Sequence, residues 1–339
     1  MTRYLAVGEQ SDFGTPTTPS NFIRIAEVSL DVSNESIYPE LADSRFDIEP
    51  ILGAFKVSGS FTLPVELERI GYLFKFLFGS VTSYTVDSTT GVYEHIFSPV
   101  EFGGSIPAFT CSIGKDNIVE ETIVGAHLNT MTLQTVVKEV LMATFEFGGV
   151  STKLESLVTP SFPSPKWIAY FKGQIEVDGN ADVNIEAFRI NYNNNVNFDD
   201  AYRITRNKGR LPKEFPIGGV KVTIEFDARY KDATYFKRVL GSATATEPQE
   251  SASGVTIKLD FIGETVSLSS GTTHKYLQIV LPKVYFDSIS SPMRGKERLM
   301  VSVSATCVNG TASITRYGGT TVNIHAPIAI YLRNKTSSY

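Results

Sequence analysis

Residues that commonly carry catalysis or bind metals are few in this 339-residue chain, and they are scattered along it. No histidine lies within chelating spacing of another histidine or of a cysteine; the four histidines are His95, His127, His274 and His325. The chain also lacks a Gly-x-Ser-x-Gly elbow, a Walker A loop and a Gly-x-Gly-x-x-Gly turn. We therefore predict no enzyme activity, no metal site and no cofactor.

Two polar stretches have the residue types for proton transfer or ion binding, but not the pattern. Glu120 and Glu121 are adjacent, and neighbours on a strand point to opposite faces, so we expect solvated charges. The run NYNNNVNFDDAYR (191–203) offers oxygen ligands of the kind calcium takes, without the spacing and glycine of a calcium loop. We interpret it as a strand edge that passes into a turn.

Composition narrows the class of protein. Net charge is −5 and the sequence pI about 5.5, which argues against the clustered basic surface of a nucleic-acid-binding protein. The longest apolar run, around Ile70 to Phe78, is too short to span a bilayer, and the N-terminal residues show no apolar signal segment. Cys111 and Cys307 are expected to be half-buried free thiols in strands. We expect a soluble protein assembled in a cytoplasm, without a membrane.

The elements that would position these residues are mainly strands. Short alternating segments are bounded by Gly, Pro, Asn or Ser, a pattern typical of β-sandwiches and barrels. The segments are 22–31, 55–63, 127–135, 140–147, 174–177, 184–191, 220–226, 255–261, 276–281 and 299–307. Long irregular segments are predicted at 34–50, 81–100, 199–213 and 243–253.

Helical spacing appears in two places only, residues 65–78 and 232–240. Pro64 precedes the first, and Gly79 and Gly241 stand where the two helices should end. The residues expected on the buried faces are Ile70, Leu73, Phe74 and Leu77 in the first helix and Phe236, Val239 and Leu240 in the second. Tyr72, Phe76 and Phe78 widen the first stripe, so this helix either packs only in the core or also meets a neighbouring subunit.

The same order of strand, helix and Gly-Ser occurs twice. Lys56, Val57 and Phe61 align with Lys221, Val222 and Phe226 at one constant offset, and Gly79-Ser80 aligns with Gly241-Ser242 after a shorter turn. We predict an internal duplication: a first module at 1–155, a Pro- and Ser-rich linker at 156–166, and a second module at 167–339 that ends in an arm.

Three stretches resemble the phage tail tube protein family. They are AVGEQSDFGTPTTPSNFIRIAEVSLDV near the start, the 53–80 segment with its IGYLFKFLFGS ending, and PSPKWIAYFKGQIEVDGNADVNIEAFRINYNNNV followed by LPKVYFDSISSPMRGKE. The likeness extends over most of the chain and depends on the order of the phrases, since none of them is catalytic.

This resemblance implies a mainly β fold of two tandem tail-tube-type sandwich or barrel modules, each with a short flanking helix. It also implies a structural virion protein, the major tail tube subunit, whose rings stack into a hollow tube. The expected partners are further copies of the chain, a tape-measure protein, other tail proteins, and viral DNA that passes through the lumen without sequence-specific binding. If one module fills about a sixth of a ring, three two-module chains close a pseudo-hexameric ring, which we favour over a hexamer of full-length chains.

Three groups of residues are assigned to assembly on this basis. The ring-forming strands would be those of Lys56, Val57 and Phe61 and of Lys221, Val222 and Phe226. Loops 34–50 and 199–213 would stack rings on one another, through Tyr38, Arg45, Arg203 and Arg206. Residues 325–339 would form an arm onto an adjacent subunit. A neutral or acidic lumen would let DNA slide, because a basic one would hold its phosphates.

Two other interpretations remain open at this point. A neck, terminator or distal tail protein of the same fold would be present in fewer copies. A two-module carbohydrate-binding or adhesin protein would need an exposed aromatic platform, and Trp167 is the only tryptophan.

Overall fold

The chain folds into long antiparallel strands with two short helices. The computed structural model describes residues 3–40, 43, 45–46, 49–164, 166–199, 202–206, 209–293, 295 and 298–339. With strands at 55% and helices at 6%, the predicted mainly β class is confirmed.

The first half contains β1 (Tyr4–Glu9), β2 (Asn21–Ile23), β3 (Glu27–Ile37), β4 (Ile51–Pro64), α1 (Ile70–Phe78), β5 (Gly79–Asp87), β6 (Val92–Pro99), β7 (Phe109–Lys115), β8 (Val119–Val136), β9 (Met142–Gly149) and β10 (Ser151–Glu155). A 3-10 turn at Tyr170–Lys172 opens the second half. There follow β11 (Gly173–Val177), β12 (Asn180–Ala181), β13 (Ile185–Asn193), β14 (Lys221–Arg229), α2 (Thr234–Val239), β15 (Val255–Leu268), β16 (Gly271–Ser290), β17 (Met300–Cys307), β18 (Gly310–Thr315), β19 (Thr321–Ala326) and β20 (Ala329–Asn334).

The main sheet is built from eight strands in the order β3, β4, β9, β8, β13, β14, β17 and β16. β8 lies inside this sheet and bends at Gly125, whose backbone φ of +67° suits a glycine. Before the bend β8 pairs with β7 and β10, and after it with β9 and β13. The two halves of the chain therefore share one continuous sheet, joined where β8 meets β13.

Further strands pack over one face of the main sheet. β1 pairs with β2 and β7, β11 pairs with β12 and β15, and β20 lies between β16 and β6. Because side chains alternate along a strand, one face of each strand points into this layer. The result is one large apolar core that includes Phe61, Phe145, Tyr192 and Phe226.

Helix α1 is enclosed by the core. Ile70, Leu73, Phe74 and Leu77 are buried as predicted, and Phe76 and Phe78 are buried as well. The rings of Phe76 and Phe109 stack at 4.6 Å, and the Phe78 ring meets Tyr192 edge-on at 4.7 Å. The wide aromatic stripe is thus explained by packing within the chain.

The first helix begins five residues later than the predicted start at 65. The Val65 N–H donates to the Leu141 carbonyl at 2.9 Å, and Glu66 forms an isolated bridge with Trp167. Because these neighbouring segments use the backbone of 65–66, the helix starts at Ile70. Its predicted end is confirmed: Gly79 is the C-cap, with φ of 78°.

Helix α2 buries a different residue from the one predicted. Tyr235 faces the sheet, with its ring 5.0 Å from that of Phe226, while Phe236 is 45% exposed. Val239 and Leu240 are half-buried, and Val239 packs against the core. α1 is covered on nearly all sides, whereas α2 is covered from the sheet side only, so one face of α2 is buried and Phe236 is not on it.

The hairpins that precede the two helices have the same register. In β3–β4, Val28 pairs with Phe61 and Val32 with Val57. In β13–β14, Phe188 pairs with Phe226, which aligns with Phe61, and Tyr192 pairs with Val222, which aligns with Val57. The number of residues between the two pairs is therefore the same in both hairpins.

The late hairpins correspond in the same way. In the first half, Phe61 pairs with Phe145 of β9, which pairs with Met131 of β8. In the second half, Phe226 pairs with Val303 of β17, which pairs with Ile289 of β16. Each hairpin has a register shift at the same distance from this pair, between Leu128 and Thr130 in β8 and between Phe286 and Ser288 in β16. These equalities support the predicted duplication, which we retain as an inference.

Three segments differ from the sequence-based expectation. Residues 81–100, predicted to be irregular, form most of the β5–β6 hairpin, and β3 extends to Ile37 inside the predicted loop 34–50. The Asn191–Asn193 segment is not a strand edge, because β13 pairs with β14 on one side and β8 on the other. Asn194 is buried after it and donates to the Leu77 carbonyl at 2.8 Å.

The C-terminal residues, predicted as an arm, are held by their own chain. β20 pairs with β16 and β6, and the half-buried Tyr339 ring lies 4.8 Å from that of Tyr72 on α1. The described part of 156–166 has no regular structure, and the Arg24 guanidinium donates to the Pro163 carbonyl at 2.7 Å. The division into modules at this segment stays a prediction.

The difference between the helices gives a stability test. Phe74→Ala removes a fully buried ring and should lower the free energy of unfolding by about 3–5 kcal/mol. Phe236→Ala, the aligned position in α2, is the matched control, and we expect a loss of less than about 1.5 kcal/mol because the ring is 45% exposed. Urea titration followed by tryptophan fluorescence measures both; equal losses would contradict the enclosed position of α1.

Candidate assembly surface

The described part of the chain holds no group of three His, Cys, Asp or Glu side chains arranged to bind a metal ion. His95 and His127 are buried separately, and His274 and His325 lie on other strands. Cys111 and Cys307 are free thiols in strands, as predicted, but both are buried, not half-buried as expected.

Glu120 and Glu121 do point to opposite faces, but neither is fully solvated, since the Glu121 side chain is only 20% exposed. Glu120 is 4% exposed and accepts a hydrogen bond from the Tyr4 hydroxyl, so the expectation of two solvated charges was wrong for it. Glu121 forms an ion pair with Lys115 at 2.6 Å. Burial, and then the bond to Glu120, raises the pKa of Tyr4 to about 12.

The predicted ring-forming residues lie on β4 and β14, both inside the main sheet. Val57, Phe61, Val222 and Phe226 face the core, and Lys56 lies on the opposite face. β4 pairs with β3 and β9, and β14 pairs with β13 and β17. Both edges of each strand are occupied, so pairing with another subunit has to use other strands of the sheet.

The face of the main sheet that points away from the core is polar; we call it the polar face. Its residues form hydrogen bonds across the strands: Thr62 with Thr144, Thr130 to Glu146, Thr132 to Asn191, Arg189 to Gln134 and Ser302 to Asp227, all at 2.5–3.0 Å. Such cross-strand pairs fix side chains on a solvent-facing sheet. The polar face is therefore ordered and hydrophilic over many strands.

The polar face carries mixed charge and has a hollow on its β8 to β16 side. This cavity of about 570 Å³ is lined by residues that include Gln134, Arg189, Glu225, Ser288 and Ser302. The charged side chains of the face are of both signs and include Glu27, Asp31, Glu146, Glu225, Asp227, Lys56, Arg189, Lys221 and Arg229. No basic stripe of the kind that clamps a phosphate backbone runs along these residues.

The open edges of the main sheet lie at its two ends. β3 pairs with β4 alone, and in the described residues Ser288–Ser290 of β16 pair with β17 alone. Val32, on β3, is 47% exposed. Sequence reasoning missed these edges because alternation marks a strand without showing which strands lie beside it.

The two predicted stacking loops touch each other within the chain. The Arg210 Nε donates to the Gly53 carbonyl at 2.7 Å and its Nη2 to the Asn34 side chain at 2.6 Å. Lys56 forms ion pairs with Glu35 and with Asp199, the latter at 2.7 Å. Loop 199–213 therefore lies against the outer end of the β3–β4 hairpin.

The nominated side chains of these loops are on the surface. Tyr38, Arg45 and Arg206 are exposed, and Arg203 forms an ion pair with Glu214. Nothing in the described chain brings the four residues together into one site.

A small apolar cluster anchors loop 199–213 to the sheet. Phe215 lies 5.5 Å from both Phe13 and the His127 ring, and Leu211 packs against the same cluster. Burial of the His127 imidazole lowers its pKa to about 4, although the Gly125 carbonyl 3.4 Å from Nδ1 favours the charged form. The loop is thus held by a histidine that packs as a neutral ring.

A mainly β chain with a polar sheet face and open sheet edges points to a structural class of protein that acts through assembly. The chain belongs to the phage tail tube protein family, whose family model matches residues 2–307. The resemblance found in the sequence is confirmed, and the protein is a structural component of the phage tail. A search of curated proteins finds no match.

Among the described residues, neither helix has the length and apolar character needed to cross a membrane.

His127 gives a pH test of the loop anchor. Its pKa of about 4 in the folded chain lies below the ordinary value of 6.5, so the unfolded chain binds the proton more tightly. Stability from this group is present above pH 6.5 and is lost as the pH falls towards 4, by about 2–3 kcal/mol. Urea unfolding at pH 7 and pH 4.5 measures the loss.

The control is His127→Phe, which keeps an aromatic ring between Phe13 and Phe215 but does not titrate. Its loss of stability between the two pH values should be smaller than that of the natural chain by the same amount. An identical pH dependence in the two proteins would rule out His127 as the titrating group.

Proposed function

We propose that the protein is the major tail tube subunit, that its two halves are tandem tube modules, and that three copies close a ring. Rings stack through loops 34–50 and 199–213 into a hollow tube that guides viral DNA. The observation that carries this proposal is the continuous eight-stranded sheet, in which two sets of four strands with matching registers are already joined by β8 and β13.

The polar face is the surface that would line the tube. The opposite face is buried in the core, and the outer layers and α1 cover it. The polar face is the accessible one, except at its end near Lys56 and Gly148, where Asp199 and Phe198 lie against it. Hydroxyl and amide groups are bonded across the strands, and the charged groups between them are of both signs. Such a surface attracts phosphates weakly, which lets DNA move past it.

The stacking role of the loops is supported by where they lie. Each connects the two strands of one of the matched hairpins, β3–β4 or β13–β14, so both leave the sheet at equivalent ends. Tyr38 is 54% exposed there, and Ile51 and Leu52 add apolar surface at the start of β4. An adjacent ring would cover this end. A tape-measure protein inside the tube during assembly, and assembly in the host cytoplasm, complete the proposal.

Electron microscopy of the purified protein and of the virion tests this function. We expect rings or tubes with a central channel, three chains in each ring, and many copies of the chain in each virion. A single ring in each virion would assign the protein to a terminator or neck instead. Monomers under all conditions, together with absence from virions, would reject the tube.

The charge of the channel can be tested separately. Glu225→Lys places a new cation on the polar face in every subunit, and we expect tubes of this variant to retain double-stranded DNA at low salt, with release as salt rises. Glu250→Lys makes the same change of charge on an exposed loop outside the main sheet and is the control. Co-sedimentation of DNA with tubes against salt concentration measures retention; equal retention by both variants would show that the polar face does not line the channel.

A further inference from the structure

The chain contains an internal example of how one four-stranded unit joins the next. We call it the internal junction: Thr130–Val136 of β8 paired with Ala187–Asn193 of β13. Met131 and Leu133 lie opposite Tyr192 and Ile190, and all four are buried. On the polar face the Thr132 hydroxyl donates to the Asn191 side chain at 3.0 Å. Backbone, core and polar face are therefore all continuous across this junction.

The matched registers identify the equivalents of both strands of the internal junction. β16 corresponds to β8, because Ile289 pairs with Val303 as Met131 pairs with Phe145. β3 corresponds to β13, because its partners in β4 align with those in β14. These equivalents lie at opposite ends of the main sheet and are its open edges. The β16 edge therefore lacks a partner of the β13 type, and the β3 edge at the other end of the sheet is a strand of that type.

We propose that β16 of one copy pairs antiparallel with β3 of the next copy, in the register of the internal junction. Transferring the pairs Thr130–Asn193 and Met131–Tyr192 gives Ser288 opposite Ser33 and Ile289 opposite Val32. Ser290 then lies opposite Asp31, and Ser291 opposite Leu30. This external junction rests on the proposed function and adds the identity and register of the strands that close the ring.

The side chains at the external junction fit this register. Val32, the equivalent of the buried Tyr192, is 47% exposed in the single chain. Pairing covers it, as the apolar residues at the internal junction are covered. On the polar face the Ser290 hydroxyl can donate to the Asp31 carboxylate as Thr132 donates to Asn191. Pro292 has no N–H to donate, so we expect the ladder to end there.

A second copy of the same chain is the occupant, because the two edges complement each other and each would otherwise remain unpaired. The contact is head-to-tail, and repeating the rotation of the internal junction at every external junction makes the ring uniform. A one-residue slip would place Val32 opposite Ser288 or Ser290, whose side chains lie on the polar face, so the apolar pattern also selects the register.

Cysteine cross-linking tests the register. A chain carrying Ser33→Cys and Ser288→Cys should form disulfides between copies under mild oxidation, seen as covalent dimers and trimers on a non-reducing gel. The native thiols do not compete, because Cys111 and Cys307 are buried. In the matched control, Ser33→Cys with Ser290→Cys, the Cα atoms would be about 7–8 Å apart, which is too far for a disulfide.

A second pair checks the geometry within one chain. Thr130→Cys with Asn193→Cys places thiols at the corresponding position of the internal junction and should form an intramolecular disulfide with or without assembly. Its formation shows that this kind of pair is competent to oxidise.

An edge variant tests the contact without cysteines. Val32→Lys puts a charge on the open edge of β3, so we expect loss of rings and tubes while the monomer stays folded by circular dichroism. Ile118→Lys changes an exposed apolar residue in the turn between β7 and β8 and should assemble normally.

The outcomes separate the inference from the function on which it rests. Tubes with the Ser33–Ser288 cross-link support both. Tubes that cross-link only through the shifted pair, or that tolerate Val32→Lys, overturn the external junction and leave the tube function standing. A chain that stays monomeric at every concentration overturns both.

Discussion

The backbone hydrogen bonding between β8 and β13 is the interaction on which the rest of the structure depends. Strands at the open edge of a sheet leave a row of N–H and C=O groups unpaired, and most proteins cover them or interrupt them. Here the second edge of β8 is closed by β13 from the other half of the same chain. Because paired residues point to the same side of the sheet, the eight joined strands share one apolar face, which forms the core of both halves, and one polar face.

Alternation of polar and apolar side chains gives the main sheet an apolar face, which would be exposed if nothing packed over it. The layer that covers this face determines which surfaces stay accessible to other molecules. α1 is enclosed, β20 closes the gap between β16 and β6, and Tyr339 packs against α1. With that face filled, the surfaces left for other molecules are the polar face, the sheet edges and the loops at the ends of the hairpins. These surfaces agree with the role in assembly that membership of the tail tube family indicates.

Local sequence patterns predicted much of this fold. Alternation located the strands of the main sheet, and the aligned residues Phe61 and Phe226 located two equivalent strands. The family was identified from the order of phrases, and its model covers nearly the whole chain.

What the sequence did not reveal depends on contacts between distant segments. The late start of α1 follows from the backbone contact of Val65 with Leu141, and the burial of Glu120 follows from the Tyr4 hydroxyl. The choice of Tyr235 over Phe236 is a one-residue difference in a helix of six residues, too short for periodicity to decide. The open edges are invisible in the sequence for the same reason: a strand is an edge only because of what does not pair with it.

The shared β-bulge connects the local geometry to the shape of an assembly. A bulge bends a strand and increases its twist, and it lies directly before the junction residues in both β8 and β16, at Leu128–Thr130 and Phe286–Ser288. Two strands that bend at equivalent points present their free edges at equivalent angles to the sheet behind them. A ring closes only when successive contacts apply the same rotation, and unequal rotations would produce strain or an open helix. The repeated bulge is therefore the feature of a single chain that makes a uniform ring physically possible.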